Sequence, residues 1–171
     1  MRICFFCLLF LMKQAVAQDF PASFIGHWQG ELEWFQSGKK DPMKVKMQLV
    51  IHPADTAGQY TWQIIYGTDS GDNRPYLLKP VDSAKGHWVI DERIGIVLDQ
   101  YWVGNRLTSG FTVGKTTIIN SYYLENGNLI AEFYSLSSEP VRTSGGTEDV
   151  PTVTSFATKG YQKAVLRKQS H

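Results

Sequence analysis

From Gly26 onward the chain alternates apolar and polar residues with a period of two. Between Gly26 and Phe35, Trp28, Leu32 and Trp34 share one face with Gly30 among them, and His27, Gln29, Glu31 and Glu33 share the other. This is the repeat of a strand with one buried face; a helix repeats its apolar positions about every 3.6 residues. Met43 to His52 continues the pattern with Val45, Met47, Leu49 and Ile51 on one side. Pro53 ends that strand because it offers no N–H to a ladder. Gln59 to Tyr66 gathers Tyr60, Trp62, Ile64 and Tyr66, Arg74 to Val81 aligns Tyr76 with Leu78, and Gly86 to Ile90 aligns Trp88 with Ile90. Gly95 to Val103 is almost continuously apolar, which predicts a strand covered on both faces. Asn105–Val113, Thr116–Leu124 and Leu129–Leu136 follow, the last two joined by an Asn126-Gly127 step that favours a tight hairpin.

Two segments break the rhythm. Ser137 to Val150 is polar, glycine-rich and aperiodic, and reads as one long mobile loop over an opening. Thr152 to Lys168 returns to strand character, read as two short runs parted at Gly160, and only Phe20 to Ile25 looks able to make a helical turn. The pattern predicts an all-β fold, an antiparallel up-and-down β-barrel of about 8–10 strands, because closure removes exposed strand edges. A sandwich is the alternative arrangement of so many short strands.

The N-terminus changes the picture. Arg2, the apolar run Ile3–Met12 and the small residues Ala15-Val16-Ala17 have the order of a secretory signal peptide. The run is shorter than the roughly 20 residues of a membrane-spanning helix. Residues 1–17 are therefore expected to be removed, leaving residues 18–171 as one exported domain, periplasmic or secreted, with no membrane span. Both cysteines, Cys4 and Cys7, lie in the leader, so this reading leaves no disulfide, thiolate metal site or cysteine nucleophile. Without Arg2 and Lys13 the chain has 15 basic and 16 acidic residues, which offers no concentrated positive field for nucleic acid. Nine Phe, eight Tyr and five Trp, with frequent Thr, Val and Ile, reinforce the β assignment.

Gly26-x-Trp28 after the aromatic Phe24, with Arg167 close to the C-terminus, resembles the terminal signature of the lipocalin and calycin superfamily. The resemblance implies a barrel whose Trp28 seals one end beneath a basic side chain of the last strand, here Arg167. It also implies an interior that holds a small ligand. The sequence has no disulfide and no second or third lipocalin motif, which points to the broader calycin-like class.

Other motifs yield to simpler readings. His27 and His87 both stand between a glycine and a tryptophan, and Glu31 or Asp91 is a conceivable third metal ligand. Both histidines, however, fall on the face opposite their tryptophans, so no metal site is assigned. Gly110 to Thr117 has three residues between its glycines where a phosphate loop needs four, and β-branched residues follow it instead of a helix. Thr68 to Asn73 has calcium-type oxygen donors without the distal glutamate, and reads as a turn. Asp91 and Glu92 are adjacent and so point to opposite faces, unlike a glycosidase pair. Asp99, in an apolar run, is expected to be partly buried against Arg93 or Arg106.

If the Trp28 face is inward, the interior is lined by Trp34, Met47, Leu49, Tyr60, Trp62, Tyr66, Tyr76, Trp88, Phe111, Tyr123 and Phe133. That lining suits a small hydrophobic or aromatic ligand. Asp99 and Arg106 are the polar candidates to orient it, and Trp28 and Arg167 form the floor. The favoured reading is an exported ligand-binding barrel with no catalytic residue and no cofactor. The alternatives are an interaction or inhibitor module acting through Ser137–Val150, or a barrel enzyme using Asp99.

Overall fold

The computed structural model describes residues 19–68 and 72–170; the leader expected at residues 1–17 lies outside them. Among the described residues, ten strands form one closed barrel. They are β1 (Gly26–Gln36), β2 (Met43–Ile51), β3 (Tyr60–Tyr66), β4 (Asp72–Asp82), β5 (His87–Asp91), β6 (Val97–Val103), β7 (Arg106–Val113), β8 (Thr116–Glu125), β9 (Asn128–Ser144) and β10 (Val153–Lys168). Each pairs antiparallel with its sequence neighbour, and β10 closes on β1. The up-and-down barrel predicted from the alternation is the observed fold, and the architecture is compatible with a calycin-like barrel.

The first strand pair shows why these residues fold this way. Trp28 faces Leu49 and Gly30 faces Met47 across the β1–β2 ladder, while Glu31 and Glu33 face Lys46 and Lys44. The first set is inside. The second set is outside, where Lys44 Nζ lies 2.9 Å from Glu31 and 2.8 Å from Glu33. His27, on the same outer face, is hydrogen-bonded to Gln48 at 2.8 Å. Gly30 is required by backbone approach: a Cβ there would collide with the carbonyl of Val165 on β10.

The closed end of the barrel is solid. A short 3-10 turn, Ala22–Phe24, tucks Phe24 inside at 0% exposure. Phe20 stacks on Trp102 at 4.5 Å and meets Trp88 edge-on at 5.2 Å. Trp28 donates its indole N–H to the Phe24 carbonyl at 2.8 Å. The cation over Trp28 is Lys168, with Nζ 5.3 Å from the ring, and not Arg167, which is exposed. Trp28 pairs directly with Lys168 across β1–β10, so alternation sends Arg167 to the outer face.

Two other expectations are corrected. Ser137–Val150 is not one long loop: β9 runs to Ser144, and β10 is a single strand from Val153. β9 pairs with β8 only as far as Ser137, and β10 pairs with β1 only from Gly160, so beyond those points the two strands pair with each other alone. They form a two-stranded arm, with register shifts between Ser155 and Gly160 where it leaves the wall. Polar composition concealed a strand that has no buried face to encode. The apolar run ending at Val103 is covered on one side only: Gln100 is buried, whereas Val97, Tyr101 and Val103 are exposed.

Candidate functional site

The half of the barrel away from the aromatic floor is hollow. A cavity of about 320 Å³ opens there, lined by residues from eight strands and from Glu92 just beyond β5. Its apolar wall comprises Ile64, Ile90, Leu98, Phe111, Ile118 and Phe133. Polar groups converge with them: Tyr66, Arg74 and Tyr76 from β3 and β4, Glu92, and Asn120, Ser135 and Gln162 from β8, β9 and β10. A few fixed polar groups in an apolar concavity are the usual make-up of a small-molecule site.

The mouth carries the charge. Arg74 Nε donates to Asp72 Oδ1 at 2.8 Å, and its guanidinium lies 5.0 Å from the centre of the Tyr66 ring. Asp72 holds the Arg74 pKa above its ordinary value. Burial pushes the Tyr66 phenol up to about 12, against the opposing pull of Arg74, so it is a hydroxyl donor at neutral pH. Tyr76 is also raised, by burial first and by Glu92 second.

The middle layer is polar but under-satisfied. Gln100 is 0% exposed and Asn120 4% exposed. Neither end of the Gln100 amide, nor Asn120 Oδ1, nor the Trp62 indole N–H has a hydrogen-bond partner among the described residues. An unmade hydrogen bond on a buried polar group costs about 1–3 kcal/mol, so such groups mark places where water or a ligand belongs. Burial also raises the pKa of Tyr122, which adjoins this layer and meets Trp62 edge-on at 5.0 Å.

The residues named from sequence divide between four places. Tyr66, Tyr76, Phe111 and Phe133 line the cavity. Met47, Trp62 and Trp88 are buried in the packed core, as is Leu49, and Tyr60 packs against it. Trp34 has the inward parity of Trp28 and Leu32 but sits near the rim, 36% exposed. Tyr123 is not interior. Its neighbour Tyr122 faces the cavity, and Tyr123 lies outside under the Arg106 guanidinium, 3.7 Å from its ring centre.

Arg106 therefore does not orient a ligand either: it points outward, 3.4 Å from Glu132. Asp99 is likewise outward and exposed, with Oδ1 2.7 Å from His87 Nε2, so the buried Asp99–arginine pair is not formed. The faces were exchanged because Gln100, Ser109 and Asn120 put polar residues inside β6, β7 and β8, while aromatic Tyr101 and Tyr123 lie outside. A register slip of one residue reverses every side chain, and weak inside–outside contrast leaves the face under-determined.

Arg74, Glu92, Asn120 and Gln162 were missed. Arg74 was within reach, since it shares parity with Tyr76 and Leu78 on β4. No protein-family model matches this chain, and no curated protein matches it.

Proposed function

We propose that the protein is an exported binding barrel that holds one small amphipathic molecule, with an aromatic or apolar body, in its open half. The observation that carries this is the cavity itself: one half of the barrel is packed solid and the other leaves about 320 Å³ unfilled by its own side chains, within an apolar and aromatic wall. Packed protein interiors leave few voids larger than a water molecule, and an open concavity of this size is the usual form of a small-molecule site. The polar groups at the mouth and on β8–β10 refine the hydrophobic ligand expected from sequence into an amphipathic one. No helix among the described residues is long and apolar enough to cross a membrane. Asp99 supplies no carboxylate to the cavity, and the reading includes no covalent chemistry.

Titration with 1-anilinonaphthalene-8-sulfonate tests the proposal. The expected result is saturable, blue-shifted fluorescence at one probe per chain, weakened at least about tenfold by Ile118→Trp, which fills the cavity. Absence of saturable binding, or equal binding by the variant, rejects it.

A second reading is favoured by the arm, which presents exposed Val141, Val150, Val153 and Phe156. Strand edges left unpaired beyond the barrel wall are a ready surface for another chain. Replacing 141–155 by Asn-Gly, between the paired Pro140 and Phe156, leaves probe binding intact if the cavity is the site and removes partner capture if the arm is.

A further inference from the structure

Resting on the cavity reading above, we propose that Asn120 selects the ligand. Its Oδ1 accepts a hydrogen bond from a neutral hydroxyl or N–H group carried by a flat aromatic body.

Asn120 lines the cavity, is 4% exposed, and its Oδ1 has no partner among the described residues. Its ladder neighbours do not supply one. Across β7–β8 it faces Ser109, whose hydroxyl is already donated to the Asp99 carbonyl. Across β8–β9 it faces Phe133, which has no side-chain donor. The Asn120 backbone carbonyl is separately satisfied by the Thr108 hydroxyl at 2.7 Å, so only the side chain is left in need. Ile118 and Tyr122 precede and follow it on the inner face of the strand, and the Tyr122 phenol makes no bond to Oδ1. The two other unpaired donors of this layer, Gln100 Nε2 and the Trp62 indole N–H, make no bond to Oδ1, and the cavity is the open route by which a donor reaches it.

The same surroundings set the chemistry of that donor. Ile118, Tyr122 and Phe133 offer a desolvated ammonium group no counter-ion, so a neutral O–H or N–H suits Oδ1 better. The charged groups Arg74 and Glu92 belong to other parts of the lining, β4 and the turn after β5, and neither bonds Oδ1. Tyr122 and Phe133 meet at 90° with centroids 5.8 Å apart, which presents ring faces and edges to a planar guest. The site therefore discriminates by one hydrogen bond at depth, and an analogue that lacks the donor leaves Oδ1 unpaired. Sites that bury a hydrogen-bonding group reject the analogue without its partner more sharply than apolar pockets reject a change of size.

The test compares 2-naphthol with 2-methoxynaphthalene, matched in ring system and differing in the donor, by displacement of the anilinonaphthalene probe. Wild-type protein is expected to bind 2-naphthol about tenfold more tightly, equivalent to about 1.4 kcal/mol. In Asn120→Leu the two affinities should converge to within about twofold, with 2-methoxynaphthalene bound at least as well as before. Asn120→Met, of different shape, should behave in the same way if Asn120→Leu folds poorly. The melting temperature of the ligand-free variant should not fall, because no existing bond to Oδ1 is broken. A preference for 2-naphthol that survives in both variants overturns the assignment, as does equal binding of both compounds by the wild type. A fall of several degrees in the ligand-free variants also overturns it, since a buried water would then already hold Oδ1. Displacement by neither compound, together with no saturable probe binding, rejects the cavity reading itself.

Discussion

The two halves of this barrel are built from the same strands and differ in what the inner face carries. Toward the N-terminal plug the inner residues are Trp28, Leu49, Ile51, Leu78, Trp88, Leu107, Leu129 and Leu166, all buried, with Phe20 and Phe24 driven in from below. Toward the arm the inner residues are smaller or polar, Ser135, Asn120, Gln162 and Arg74 among them, and space remains between them. The closed half holds the barrel together. The open half gives up packing, and with it stability, in exchange for an accessible interior.

That contrast sets the size of mutational effects. Trp62→Ala removes a fully buried indole from the packed half and is expected to cost about 3–5 kcal/mol in urea unfolding. Phe111→Ala, on the cavity wall, should cost about 1–2 kcal/mol, because that ring already borders empty space. Similar losses at both positions would show that the cavity is filled by collapse in solution.

Alkaline pH probes the boundary between the halves. The folded-state pKa of Tyr66 is raised by burial from 10.0 to about 12, and Tyr122 is raised as well. A raised pKa contributes stability that is whole below the unfolded value and is lost as pH climbs through the folded one. Stability should thus be flat in this respect up to pH 10.0 and decline through about 12, by on the order of 2 kcal/mol for Tyr66. Tyrosinate absorbance should show a late-titrating subset that merges with unfolding, and Tyr66→Phe should shrink it.

The arm should matter less to stability. Replacing 141–155 by Asn-Gly removes a segment whose side chains are largely exposed, and the urea midpoint is expected to shift by less than the equivalent of about 1 kcal/mol. A larger loss would mean that the arm braces the rim, where Lys159 Nζ already reaches the Lys115 carbonyl at 2.6 Å.

The smallest effect belongs to the outer wall, in the Lys79–Asp91 pair on β4 and β5. The Lys79 ammonium, and then the Arg93 amide, hold the Asp91 carboxyl below its ordinary 3.8. Its contribution is present above 3.8 and disappears as pH falls below that value through the depressed folded pKa. Lys79→Met should cost under about 1 kcal/mol at neutral pH and progressively less as pH falls below 3.8.

Much of this was legible in the chain. Alternation, with a continuous apolar run at β6, located the first eight strands to within about two residues, and Asn126-Gly127 marked the β8–β9 hairpin. Trp28 at the start of β1 is buried in the core cluster. The failures share a cause. Lys168 in place of Arg167, Tyr122 in place of Tyr123, and Gln100 in place of Asp99 are each an error of one residue, and one residue is one face of a strand.

The sequence alone determined the strand class, the turns and the apolar floor, because alternation and turn chemistry are local and the floor residues are strongly apolar. Only the tertiary structure decided which face of β6 to β8 turns inward, that β9 and β10 extend into an arm, and that side chains leave half of the interior unfilled. Those outcomes depend on cross-strand register and on the volume enclosed when β10 meets β1, and neither quantity is written in any single segment of the chain.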